Sequence, residues 1–265
     1  MSHNIENFPF EQTPGQELGR GFESIVKELG PEWVIKEFNP LKPDGTTKHE
    51  KAYEMSQSET NIKELQATQQ FLQSELIFGD NFIPTHWVLG NDKEGNKVYF
   101  TIQKRFKGDT LEKVIESQDS KEKYDNRFDK YFEQNPELRA QMVRLIWGSK
   151  KALVEMGVFD DFHPDNIAVV NEGDNKQRLM IFDLQNMMKT KRLLYEDPNC
   201  PIESKRNILK NTERHASRIE RYEEWLHITE AEKLKLNEEF KLENNAYENS
   251  VSKLLSMWES VKELK

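Results

Sequence analysis

Cysteine is almost absent from this 265-residue sequence: Cys200 is the only one. A lone thiol excludes an intramolecular disulfide and any zinc cluster built on cysteines, and it fits a reducing compartment. Long apolar runs are missing too, and none approaches the roughly 20 residues that a bilayer-crossing helix needs. The opening Met1-Ser2-His3-Asn4-Ile5-Glu6 has neither the basic start nor the apolar core of a secretory signal. The expected location is therefore cytoplasmic; an exported effector addressed by some other signal would read the same way. Positive charge is in short supply, with 38 Lys and Arg against 47 Asp and Glu and a net charge of −9. That balance offers no general attraction for nucleic acid or for an anionic membrane, and neither is expected as a partner. No repeat of 20 to 50 residues is found, and no low-complexity tract beyond the charge bias.

What is present is a chain long enough for one large or one two-lobed domain with a sizeable core. Its hydrophobic fraction is 35% and its charged fraction 32%, which implies much solvated helical surface. Residues 1–14 read as a loose polar arm. Next comes Leu18-Gly19-Arg20-Gly21-Phe22-Glu23-Ser24-Ile25-Val26, two glycines one residue apart before a small serine and a β-branched pair. Trp33-Val34-Ile35-Lys36 is a short β-type run that ends on a lysine. After a loop with Pro40, Pro43 and Gly45, residues 48 to about 75 lack proline and glycine and read as helix. Ile62, Leu65, Gln69 and Leu72 trace one face of it. Two further β runs follow, one through Phe82-Ile83-Pro84 and Trp87-Val88-Leu89-Gly90, the other through Val98 to Gln103, with a turn between them.

The rest reads as mainly helical. Asp109 or Thr110 is expected to cap a short helix beginning near Leu111. Residues 117–135 form a charged helical insertion whose aromatics, Tyr124, Phe128, Tyr131 and Phe132, make a local core. Pro136 to Met156 is a clear helix, with proline in its first turn, Gly157 at its end, and Leu138, Met142, Leu145, Ile146, Ser149, Leu153 and Met156 on the buried face. From Ile202 onward the chain is charged helix. Val251, Leu254, Leu255, Trp258, Val261 and Leu264 are spaced as an amphipathic helix, so the C-terminus should pack down. These polar C-terminal helices also offer a docking face for a protein partner.

Between these parts lies Asp160-Asp161-Phe162-His163-Pro164-Asp165-Asn166, followed by apolar Ile167–Val170, a polar turn, apolar Leu179–Phe182 and then Asp183. The pattern is a loop, a β-hairpin and a second acidic loop. Such a hairpin would bring the residues before its first strand next to those after its second, drawing Asp161, Asn166 and Asp183 together. Two carboxylates and an amide oxygen form a hard oxygen set suited to Mg²⁺.

Asp161, four intervening residues and Asn166, with an aspartate after the next strand pair, resemble the catalytic segment of the protein-kinase-like phosphotransferases, which include the aminoglycoside and choline kinases. The glycine turn resembles their nucleotide loop, and Val34-Ile35-Lys36 their lysine strand. The resemblance covers residues 18 to about 186. It implies an α+β, two-lobed fold: an N-terminal arm over 1–14, a small antiparallel-sheet lobe with one helix over 15–103, and a mainly helical lobe over 104–265 that holds the catalytic loop and a C-terminal extension.

The resemblance further implies ATP and Mg²⁺ as cofactors, and transfer of the γ-phosphoryl group to a hydroxyl on a protein or a small molecule. Asp161 would accept or orient the hydroxyl proton. Asn166 and Asp183 would hold the metal. Lys36 would fix the α- and β-phosphates, paired with Glu64, or else Glu59 or Glu54. The backbone over Gly19, Arg20, Gly21 and Ser24, with Val26, would cover the nucleotide, and Gln103 would open the hinge that holds the adenine. His163 falls near the γ-phosphate or serves as a hydrogen-bonding residue of the loop.

The match departs from protein kinases in three places. Phe159-Asp160 replaces His-Arg before Asp161, Leu184-Gln185 replaces Phe-Gly after Asp183, and no Ala-Pro-Glu follows. These departures tilt the expectation towards an atypical or small-molecule kinase. A nucleotide-binding pseudokinase scaffold and adenylyl transfer on the same fold are the rival readings.

Overall fold

The computed structural model describes residues 15–20, 24–38, 66–91, 97–118, 122–157, 162–173, 176–182 and 202–258. The chain divides into two compact units: residues 1–66 with 84–106, and residues 67–83 with 107–265.

The first unit is built on a five-stranded antiparallel sheet. Its strands are β1 (Glu17–Arg20), β2 (Ser24–Leu29), β3 (Trp33–Phe38), β4 (Thr85–Asn91) and β5 (Lys97–Lys104). They lie in the order β1-β2-β3-β5-β4. β2 and β3 meet through a tight turn in which Gly30 adopts φ 68, a left-handed conformation that glycine enters without steric cost. Because side chains alternate along a strand, register decides which residues share a face. Lys36 stands opposite Val26 on β2 and Thr101 on β5, and Thr101 stands opposite Trp87 on β4. One row further along, Val34, Gln103 and Thr85 share the same face. The opposite face carries half-buried Lys27, Glu37, Trp33 and His86 beside buried Ile102.

The second unit is mainly helical and surrounds a small sheet. β6 (Gly108–Thr110) pairs with β7 (Ile167–Gly173), which pairs with β8 (Lys176–Ile181). The helices are α1 (Leu111–Glu116), α2 (Tyr124–Gln134), α3 (Pro136–Met156), α4 (Ile202–Trp225), α5 (Glu230–Phe240) and α6 (Ala246–Leu255). Thr110 is the residue that caps α1, its side chain accepting from the Lys113 N–H. α3 has the expected bounds, with Pro136 in its first turn and Gly157 in the left-handed cap at φ 62. Leu138, Met142, Leu145, Ile146, Ser149 and Leu153 are buried as expected, whereas Met156, expected with them, is half-buried at the helix end. Gly148 faces backbone: a Cβ there would sit 2.4 Å from the Ile77 carbonyl oxygen.

Three features differ from the sequence reading. The helix expected to about residue 75 ends at Leu72 within the described residues, and 67–83 joins the second unit rather than the first. The hairpin strands reach Gly173 and Lys176, so the turn is much tighter than the expected polar stretch 171–178. The charged C-terminal helix is three helices. His227, Lys241 and Asn245 all adopt positive φ at the two breaks, with no glycine or proline to announce them. The first break is held by tertiary contacts. Arg139 donates twice to the Leu226 carbonyl, at 2.6 and 3.1 Å, and the His227 ring meets Asp129 at 3.2 Å. Thr229 and Glu232 then form a reciprocal capping box that starts α5.

Candidate active site

The residues singled out from the sequence fall in both units, and each set is described within its own unit. In the first unit, six residues on the face that carries Lys36, namely Val34, Lys36, Thr85, Trp87, Thr101 and Gln103, are each at most 8% exposed. Four of these six side chains are polar, an expensive choice for a sheet face unless each group is satisfied. Gln103 donates through Nε2 to Thr85 Oγ1 at 3.0 Å. Gln103 lies inside β5, one residue before its end, and the chain beyond is held by the Arg105 N–H to the Glu32 carbonyl at 2.7 Å. Thr85 and Thr101 were not singled out from the sequence. The available signal was the alternation Thr101-Ile102-Gln103 within an otherwise β-type run.

Of the glycine turn, Gly19 and Arg20 end β1 opposite Val26 and Ile25, and Ser24 opens β2. Gly19 is exposed, and among the described residues a Cβ there would meet nothing within 4 Å. Gly21 lies outside the described residues, as do Glu64, Glu59 and Glu54.

In the second unit the loop, the hairpin and β6 form one piece. Phe162 is fully buried and Pro164 is buried beside it. Pro164–Asn166 is a 3₁₀ turn, closed by the Asn166 N–H on the His163 carbonyl at 2.8 Å. His163 Nδ1 accepts from the Asp165 N–H at 3.2 Å, so His163 caps its own turn. Ile167 pairs with Ile181, and the Phe182 N–H donates to the Asn166 carbonyl at 3.1 Å. The two ends of the hairpin are thereby fastened: Asn166 just before β7 and Phe182 just after β8. Asp161 and Asp183, the residues next to Phe162 and Phe182 in the chain, lie outside the described residues.

Two further contacts fix this piece. Gly108 on β6 crosses so close to β7 that a Cβ would lie 2.2 Å from the Val169 carbonyl oxygen. Gln141 of α3 accepts from the Leu179 N–H at 2.8 Å and from Asn81 Nδ2 at 3.1 Å, while Asn81 also donates to the Leu179 carbonyl at 2.7 Å.

Among the described residues no group of His, Cys, Asp and Glu is placed to hold a metal ion, and no helix is long and apolar enough to cross a membrane.

No family model matches the chain and no curated protein matches it. Solved structures do. The chain is similar to the kinase domain of PknI from Mycobacterium tuberculosis, with 8% identity over 92% of this chain and 96% of that one and a TM-score of 0.41. Against a double mutant of that domain it spans 58% of the other chain, with a TM-score of 0.39. A pseudokinase solved in its apo form gives 9% identity over 98% of this chain and 93% of that one, with a TM-score of 0.38. The GDP complex of wild-type aminoglycoside 2'-phosphotransferase-IIIa gives 13% identity over 94% and 95%, with a TM-score of 0.30. Such distant superpositions identify nothing by themselves. The described residues give the chain an α+β fold: an antiparallel sheet in the first unit, with Lys36 on β3, and helices around a three-stranded sheet in the second.

Proposed function

We propose that this chain is a Mg²⁺-dependent kinase that moves the γ-phosphoryl group of ATP to a hydroxyl on a protein or a small molecule. The carrying observation is the hydrogen bond from the Phe182 N–H to the Asn166 carbonyl at 3.1 Å. It fastens the end of β8 beside Asn166, one peptide bond short of Asp183. An amide oxygen from Asn166 and a carboxylate from Asp183 at one hairpin mouth would be donors that magnesium accepts alongside phosphate oxygens and water. When bound, the ion would neutralise charge on the β- and γ-phosphates. Asp161, which precedes the fully buried Phe162, would take or orient the proton of the attacking hydroxyl.

Phosphoryl transfer asks for position and charge more than for covalent chemistry, and a buried ammonium supplies both. Lys36, on the polar buried face of the first sheet, would hold the α- and β-phosphates, with Glu64 as its carboxylate. Gly19, Arg20, Gly21, Ser24 and Val26 would cover the nucleotide, and Gln103 would lead into the hinge. His163, whose Nδ1 is occupied by the Asp165 N–H, would face the phosphates through its other nitrogen.

The test is transfer from ATP labelled at the γ- or the α-phosphate, with Mg²⁺, to protein, aminoglycoside and choline acceptors, for the wild type beside Asp161→Ala and Asp183→Ala. Transfer of the γ label that both substitutions abolish supports the proposal. Transfer of the α label means adenylyl transfer instead, and nucleotide binding with neither transfer means a pseudokinase.

A further inference from the structure

We propose that helix α2, which carries none of the reacting groups, sets the position of the catalytic loop through a column of three rings: Phe128, Tyr222 and Phe162. This rests on the phosphotransfer reading for its meaning, though not for its geometry.

The column starts at the loop. Phe162 lies between Asp161 and His163 in a stretch without regular secondary structure, yet it is fully buried. Its ring meets Tyr222 of α4 edge-on, with centroids 5.8 Å apart and planes at 66°. Tyr222 is stacked on Phe128 of α2 at 5.4 Å and 10°. Phe128 is fully buried and backed by Phe132 at 4.8 Å and Trp225 at 5.1 Å, so it has nowhere to yield. α2 is tied in turn to α1: the Tyr124 hydroxyl donates to Glu112 Oε2 at 2.7 Å. Burial and the Glu112 carboxylate keep that phenol protonated far beyond the usual tyrosine range, so it remains a donor. α1 follows β6, which pairs with β7, the strand that leaves the loop.

The loop is therefore held twice. Backbone pairing holds the Asn166 side, and the ring column holds the Phe162 side. Most core rings join one regular element to another. This column ends on a loop residue whose chain neighbours carry the proposed chemistry. A close-packed interior transmits a displacement rather than absorbing it, so a gap at Phe128 should reach Phe162. Phe128 and Tyr222 are thus positioning residues.

The experiment compares Phe128→Leu, Tyr222→Leu and Tyr222→Phe with the wild type in the full chain. Three quantities are read: hydrogen exchange of the Phe162–Asn166 peptide, kcat and KM for ATP, and the thermal midpoint. The amides of Asp165 and Asn166 report the loop directly, since both are bonded to His163. In both leucine variants, loop exchange is expected to quicken about tenfold and kcat to fall about tenfold with KM for ATP within about twofold, as misplacement of a reacting group predicts. Tyr222→Phe, which keeps the ring, should match the wild type in both. Unchanged loop exchange in the leucine variants overturns the proposal, and so does a Tyr222→Phe that behaves like Tyr222→Leu. If Tyr222→Leu fails to fold, Phe128→Leu decides, because it leaves the loop and Tyr222 intact. If the wild type transfers no phosphate, the proposed function falls and loop exchange still decides the column.

Discussion

The two compact units bury different things. The first devotes the inner face of its sheet to Lys36, Thr85, Thr101 and Gln103 beside Val34 and Trp87. The second fills its interior with Phe128, Phe132, Trp147, Phe162, Leu111, Ile146 and Phe240, all below 2% exposure. Its buried charge is locked in place. Lys150 pairs with Glu223, and its ammonium lies 4.6 Å from the Trp147 ring and 4.9 Å from the Tyr247 ring. A buried cation with a carboxylate and two aromatic faces is a structural joint between α3, α4 and α6. Lys36 instead lies on a sheet face that it shares with Thr85, Thr101 and Gln103. The contrast teaches that burial alone does not give a charged group its role; its neighbours do.

That contrast can be broken by substitution. The largest effect is expected at Gly148, where a Cβ must push against the Ile77 backbone. Gly148→Ala should lose about 3 kcal/mol in urea unfolding, the upper range for overpacking a core. Next comes Lys150→Met, which among the described residues leaves Glu223 paired with Lys233, at 3.5 Å. It should cost about 2–3 kcal/mol, below the roughly 3–5 kcal/mol of a fully broken buried pair because Lys233 remains beside Glu223. If Lys36 serves a ligand as proposed, Lys36→Met should cost less than Lys150→Met, because polar groups kept for ligands are commonly neutral or unfavourable for stability. A Lys36→Met loss as large as that of Lys150→Met would erase the distinction.

How much of this could be read in advance depended on whether the signal was local. α3 was legible at both ends because Pro136 and Gly157 act on their own backbone. The hairpin was legible from two apolar runs around a polar turn, and the Thr110 cap from its side chain. The break at His227 was not, because it is imposed from outside by Arg139 and Asp129, which lie far away in sequence. Nor was the departure of 67–83 from the first unit, since a period of 3.6 says which face is apolar and not what covers it. In the candidate site, Lys36 and Asn166 could be picked out from motif spacing. Thr85 and Thr101 emerged only through the pairing of β4 with β5, and Tyr222 only through its rings. Asp161, Asp183, Gly21 and Glu64 lie outside the described residues, so their roles stand as proposals.

Smaller effects sharpen the picture of the second unit. Thr229→Ala should cost about 1 kcal/mol, the usual value of an N-cap. The Thr229 backbone N–H and Arg139 hold Glu232 below the ordinary carboxylate range. Its contribution is therefore full above that range and fades as pH falls through the lowered value. Glu232→Gln should flatten this acid limb of the stability profile, measured by thermal unfolding below pH 4.5. The least effect is expected from Lys27→Ala, on the half-buried outer face of the first sheet. Its pair with Glu37, at 2.6 Å, should be worth about 0.5 kcal/mol and should weaken in salt.

The most direct measurement is calorimetric titration of ATP into the wild type and Lys36→Met, with and without Mg²⁺. The account predicts binding that strengthens with Mg²⁺ and weakens at least about tenfold in Lys36→Met, the loss expected for one charge-assisted contact. Equal affinity in the two proteins, or no binding by a folded wild type, would contradict it.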